Sequence, residues 1–382
     1  MLLLSLCAAV SFAEPMDLSA NLERIRRGHD VSAMVCAAYR DGELLGSGAV
    51  GWYSYEDTTP VTTQNRFHIG SCTKAMTSVL IGMMIDDGAI EWDTPIATAF
   101  DGLVEQTNER YRTVTIRDLL AHRAGIDANR NQQLISLPHM LAMSAEPLAL
   151  REQRRRIAEH ILSTEPQLPG GDDGAFAYSN HGYILAGVIL EEHHDMPWED
   201  IMQEQIFAPL GMASAGFGPP GEAGKLTEPV GHIKRDEWHP MMIVEGQRIP
   251  DNPASFGPAG TVHASIIDWG KFVDDFEQGL DGEGKLLKQE TYQAIADDEE
   301  GDGYALGWGI SQRDWANGIT LSHAGSNTYW FCVTWAAPEK DLVLLCASNV
   351  PPDPGSTACD EAIGMMVGHF AETLETTPPA GD

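Results

Sequence analysis

The chain has 382 residues, 43% hydrophobic and 21% charged, which excludes a disordered chain and leaves room for more than one compact lobe. Its 24 Lys+Arg against 56 Asp+Glu leave a formal net charge of -32. A surface this acidic repels phosphate backbones and anionic lipid, so nucleic acid is excluded as a partner.

The first residues read as an export signal. Leu2 to Val10 is almost wholly apolar, and Ser11-Phe12-Ala13 has the small-x-small pattern of a cleavage site, placing the signal at residues 1–13. The run is too short to span a bilayer as a helix. Leu6 ahead of Cys7 is larger than lipid-attachment sites accept, so no stable membrane anchor is expected. The mature protein is expected in the periplasm or secreted. It would keep Cys36, Cys72, Cys332, Cys346 and Cys359, an odd number without a C-x-x-C pair. Neither a disulfide framework nor a structural zinc is predicted.

A helix is predicted over 15–28, where Leu18, Leu22 and Ile25 share a face. Residues 31–39 read as a strand, Asp41-Gly42 as a hairpin turn, and the return strand runs from Leu44 to about Tyr53. From Ser71 the period changes: Met76, Val79, Leu80 and Met83 mark a helix over 72–87, with Gly88 as its C-terminal cap. The long middle reads as helix and loop, with helices at 115–122, 151–163, 181–193 and 266–278. Pro and Gly mark loops at 166–174, 217–224 and 250–260. Strands return at 304–311, 318–323, 328–336 and 341–348, the last two joined by Pro338 to Asp341. A final helix spans 357–374, and the Thr/Pro/Gly tail beyond it is expected to fray.

The simplest closure is an α+β fold: one antiparallel sheet built from both chain ends, flanked by helices, with a large helical insertion. Residues 14–72 and 296–382 would form the sheet domain and 73–295 the inserted domain. The cleft between them is a natural binding site.

Three short segments carry chemistry. In Ser71-Cys72-Thr73-Lys74, serine and lysine three apart lie one turn apart on a helix face. The helix N-terminus favours a developing oxyanion at Ser71. A serine hydroxyl needs a base, and a lysine serves only if burial or positive neighbours lower its pKa. Tyr178-Ser179-Asn180 follows the Gly170–Gly174 loop and precedes an apolar helix. Tyr178 could pass protons, and Asn180 could hold a substrate carbonyl or orient Lys74. His323-Ala324-Gly325 ends a predicted strand, where Gly325 would let the backbone approach a ligand. The N–H of Ser326 would join that of Ser71 as an oxyanion hole, and His323 could orient or protonate the leaving group. His68-Ile69-Gly70 shapes the turn into the helix.

The order Ser-x-x-Lys, Tyr-x-Asn, His-x-Gly resembles the serine β-lactamase and penicillin-binding-protein superfamily, in its class C-like branch of D,D-peptidases, D-aminopeptidases and β-lactamase-like esterases. The likeness runs from about residue 17 to 370. Framework stretches that support it are Phe67–Lys74, Thr115–Gly125, Pro209–Met212, Pro258–Gly260 and Leu306–Trp308. It implies a β-lactamase/transpeptidase-like fold, Ser71 as the acylated nucleophile, Lys74 as its partner and Tyr178 as general base or proton shuttle. Asn180 would contact substrate, and His323 to Gly325 would wall the site. No metal or cofactor is implied, and His122 would be structural. The expected partner is a small-molecule or peptide substrate; the oligomeric state is left open.

The pattern departs from potent antibiotic hydrolases, which carry Lys-Thr-Gly at the third segment; no Lys-Thr-Gly occurs here. A neutral histidine supplies no permanent charge for an antibiotic carboxylate. Tyr329 and Trp330 would alternate along the following strand, one narrowing the cleft. The expectation is a hydrolase of small esters or amides, of the esterase or D-amino-acid peptidase type. Its alternatives are a class C β-lactamase proper and a penicillin-binding sensor. A G-x-S-x-G elbow is absent. Glu191 to Asp195 and the basic run Arg151, Arg154 to Arg156 read as solvated helix surfaces, and Cys72 as a core thiol.

Overall fold

The computed structural model describes residues 14–371 except 101–106, 127–136, 139, 142–147, 167, 169, 171–173 and 248. The expected signal at 1–13, the interior of the Gly170–Gly174 loop and the tail lie outside the described residues.

The first and last thirds of the chain close one sheet. β2 (Ala33–Arg40) pairs antiparallel with β3 (Glu43–Ser54) across the Asp41-Gly42 turn, and β4 (Asp57–Pro60) adds to β3. From the other end come β10 (Gly309–Arg313), β11 (Gly318–Gly325), β12 (Phe331–Ala337) and β13 (Leu342–Ser348). The halves join where β13 pairs with β2, with Cys346 opposite Cys36. Among the described residues this sheet has eight strands, in the order β1 (Met16–Asp17), β3, β2, β13, β12, β11, β10, with β4 beside β3.

Every residue of β13 is buried because both sheet faces are covered. Side chains alternate along a strand. Val343 and Leu345 accordingly meet Phe272, Val273 and Phe276 on one face. Leu342, Leu344 and Cys346 meet Leu22, Ile25, Ala362 and Met366 on the other. The first cover is the helix Ile266–Leu280; the second is α1 (Ser19–Gly28) with the C-terminal helix Pro352–Phe370. Ile266–Leu280 thus belongs to the sheet's own layers, although it lies in the segment read as the insertion.

Several elements differ from expectation. The sheet is not purely antiparallel: β1 (Met16–Asp17) pairs parallel with β3. The strand expected at 304 begins at Gly309, with Tyr304 held only by an isolated bridge to it. The strand expected at 328 begins at Phe331, so Tyr329 and Trp330 do not alternate along it; Trp330 is buried against Phe67. The final helix begins at Pro352. The middle of the chain holds short strands that carry no readable period: β5 (Arg66–His68), β6 (Gly216–Phe217) and β9 (Val262–Ser265) form one small sheet, and β7 (His232–Lys234) with β8 (Trp238–Pro240) another.

The other helices that matter are α2 (Thr73–Asp86), α3 (Ile116–Leu120), α4 (Leu150–Ser163) and α5 (Asn180–His194). α4 and α5 pack together, and there the surface reading fails. Arg154 lies on the stripe of Ile157 and Ile161, fully buried, and Glu191 faces it from α5. The guanidinium donates to Glu191 at 2.6 Å and to Glu199 at 2.8 Å. Helical spacing turned these charges inward, where they pair with each other.

Candidate active site

Ser71 sits in a short 3₁₀ turn, Gly70–Cys72, that leads into α2. The turn is pinned from both sides. Ile69 N–H donates to Val262 O at 2.9 Å, Gly70 N–H to His68 Nδ1 at 3.0 Å, and the Thr73 hydroxyl to Gly70 O at 2.7 Å. The buried carboxylate of Asp251 meets His68 at 3.2 Å and accepts from Asn327 Nδ2 at 2.7 Å. One side chain therefore ties the residues before the nucleophile to those after β11.

Gly325 is required by a close approach within the protein. A Cβ there would overlap the Ile69 carbonyl, and a Cβ on Gly70, whose φ is +50°, would overlap Ser326 N. Only glycine permits both the positive φ and the approach. The segments bearing the Ser71 and Ser326 N–H groups thus touch. Cys72 is buried with its thiol 3.6 Å from that of Cys332, facing away from Ser71.

Lys74 is fully buried one turn beyond Ser71. Its Nζ donates to Ser71 Oγ at 3.2 Å, Asn180 Oδ1 at 2.8 Å and Ala259 O at 2.7 Å. The Ala259 carbonyl is aimed by the turn Gly257–Gly260, itself held on α2 by the Thr77 hydroxyl donating to Pro258 O at 2.7 Å. All three partners are neutral. Burial therefore drives the ammonium down to about 7, with Cys72 opposing. Two of the bonds survive loss of a proton, and the freed lone pair then points at the Ser71 hydroxyl.

Tyr178 immediately precedes the α5 cap Ser179, and its ring lies 4.8 Å from Lys74 Nζ. Burial pushes the pKa of its phenol well up, with the nearby Ser71 hydroxyl opposing. The phenol keeps its proton at neutral pH, while 39% of the residue stays open to the cleft. His323 lies across the cleft. A carbonyl only accepts, so Nδ1 donates to Ala324 O at 2.8 Å, and Nε2 accepts from the Tyr304 hydroxyl at 3.2 Å. Both ring nitrogens are committed.

The structure therefore gathers Ser71, Lys74, Tyr178 and Asn180 at one point and sets Gly325 and Ser326 against the nucleophile turn. Two participants escaped the sequence reading. Ala259 acts through its backbone, for which no side-chain motif exists. Tyr304 joins His323 to a cluster of Phe176, Tyr178 and His122, and its position in an expected strand concealed this.

A family model described as Beta-lactamase matches residues 18–364. Penicillin-binding protein 4 of Amycolatopsis lactamdurans is 23% identical over 86% of this chain and 83% of its own length. The D-aminopeptidase of Brucella anthropi is 22% identical over 87% of this chain, which spans 59% of that protein. In fold, the chain is similar to the octameric penicillin-binding protein homologue from Pyrococcus abyssi, with TM-score 0.70, 20% identity, and coverage of 92% of this chain and 78% of that one.

Proposed function

The chain belongs to the Beta-lactamase family of serine hydrolases, and within it we propose a hydrolase that acylates Ser71 with small esters or D-amino-acid amides. The observation that carries this reading is the buried Lys74, 3.2 Å from the Ser71 hydroxyl, with no carboxylate among the described residues bonded to it. Neutral Lys74 takes the Ser71 proton as Oγ attacks the substrate carbonyl. The N–H groups of Ser71 and Ser326 receive the oxyanion. Tyr178, kept protonated by burial, hands its proton to the departing amine or alkoxide. Water then releases the acyl group by the reverse exchange.

Two observations favour small esters and amides over antibiotics. His323 spends both ring nitrogens inside the protein, so neither is free for an antibiotic carboxylate. Similarity to a D-aminopeptidase supports D-amino-acid substrates. An exported setting, resting on the apolar run Leu2 to Val10, belongs to the same proposal, as does the division into sheet and inserted domains.

Turnover of a short-chain p-nitrophenyl ester, a D-alanine p-nitroanilide and a chromogenic cephalosporin should be compared for wild type and Ser71→Ala. The expected result is that the first two exceed the cephalosporin in kcat/KM and that Ser71→Ala abolishes all three. A cephalosporin as much the best substrate would overturn the substrate class, and turnover persisting in Ser71→Ala would overturn the nucleophile.

A further inference from the structure

We infer that His122 is the positioning residue for Tyr178, an assignment that rests on the acyl-transfer reading above. His122 follows α3, whose first turn is fixed by the Thr115–Asp118 capping box. Its backbone is left-handed, with φ at +61°. That conformation is uncommon for a residue with a side chain and persists where the surroundings dictate it. Here it lets one residue make two hydrogen bonds to the same strand of chain. The His122 carbonyl accepts from Ala177 N–H at 2.8 Å, and its Nδ1 accepts from Ser179 N–H at 3.1 Å. These bonds bracket Tyr178 on both sides in the chain. The imidazole also lies under the phenol ring, centroids 4.3 Å apart, with Tyr304 at 4.9 Å and Tyr183 at 5.3 Å.

The bond from Ser179 fixes the tautomer. Nδ1 accepts, so in the neutral ring the hydrogen is on Nε2. Nε2 is buried and has no hydrogen-bond partner among the described residues. A polar atom left so has a stability cost that an apolar side chain would not incur. The ring is kept neutral chiefly by burial, with the nearby Lys74 ammonium adding to it, and its pKa is pushed well down. An imidazolium would lose the acceptor that Ser179 needs. Packing alone explains neither the bracket around Tyr178 nor an acceptor directed at its neighbour. Both serve to hold the phenol where it meets Ser71 and the leaving group.

The test compares His122→Asn, His122→Leu, Tyr178→Phe and the double variant His122→Leu/Tyr178→Phe. The readouts are kcat and KM for a short-chain p-nitrophenyl ester, with melting temperature alongside. Asn tolerates a left-handed backbone and offers Oδ1 where Nδ1 stood; Leu keeps bulk and offers no acceptor. The Leu variant should lose about 10–100-fold in kcat with KM changed less than about twofold, as expected for a displaced catalytic group. The Asn variant should recover most of the loss, and the double variant should be no worse than Tyr178→Phe alone. Wild-type kcat in a folded Leu variant, equal loss in Asn and Leu, or losses that multiply in the double variant would each overturn the assignment. If the Leu variant does not accumulate, His122→Ala carries the same expectation. Turnover in Ser71→Ala would instead remove the underlying acyl-transfer reading, whatever the His122 variants do.

Discussion

Lys74 and Arg154 are both fully buried cations, and their surroundings could hardly differ more. Arg154 sits between Glu191 and Glu199, with four hydrogen bonds to their oxygens. Burial alone would lower its pKa, but the two carboxylates outweigh burial and raise it, so the charge is permanent. Among the described residues Lys74 has three neutral acceptors and no carboxylate partner, and burial brings it to about 7. One arrangement holds α4 against α5; the other leaves a proton free to move. The difference lies in the neighbours and in the side chains themselves, since Arg keeps its proton while a desolvated Lys releases it.

Exchanging those neighbours should break the contrast. The largest effect is expected at the paired site. Arg154→Met leaves Glu191 buried without its cation, which should cost about 3–5 kcal/mol of stability. Denaturant unfolding measures that loss, while the midpoint of the pH–rate profile should stay in place. The converse change is smaller in energy but more telling. Asn180→Asp sets a carboxylate 2.8 Å from Lys74 Nζ, giving it what Arg154 has. An opposite charge at that distance should raise the lysine by about one to three units. The rate rises as Lys74 loses its proton, so the acid limb of kcat/KM should move from about 7 toward higher pH by the same amount. A profile that keeps its midpoint in Asn180→Asp would deny Lys74 the role of base.

The same contrast shows what could be read from sequence. Ser71 and Lys74 three apart, and a Tyr-x-Asn before an apolar helix, are local patterns on single elements, and helical geometry places them. The sheet was legible for a similar reason: the strand 341–348 and its neighbours are short apolar runs bounded by turns. Arg154 was read as solvated because its run resembles a surface stripe; only the packing of α4 on α5 turns it inward. Tyr329 and Trp330 were read as strand residues because apolar alternation continues through them, though pairing starts at Phe331. The Ala259 carbonyl and the bracket that His122 places around Tyr178 involve backbone atoms from distant segments, which no residue pattern reports. The burial that makes Lys74 a base is likewise a property of the folded environment.

The claim that Lys74 is a buried amine with an accessible neutral form can be measured at the atom itself. Protein labelled with ¹³Cε-lysine, with Lys74→Met identifying the resonance, can be titrated by NMR between pH 5 and 11. The Lys74 midpoint is expected near 7, apart from the other lysines. A Lys74 resonance that titrates with them, near the ordinary lysine value of about 10.4, would contradict it.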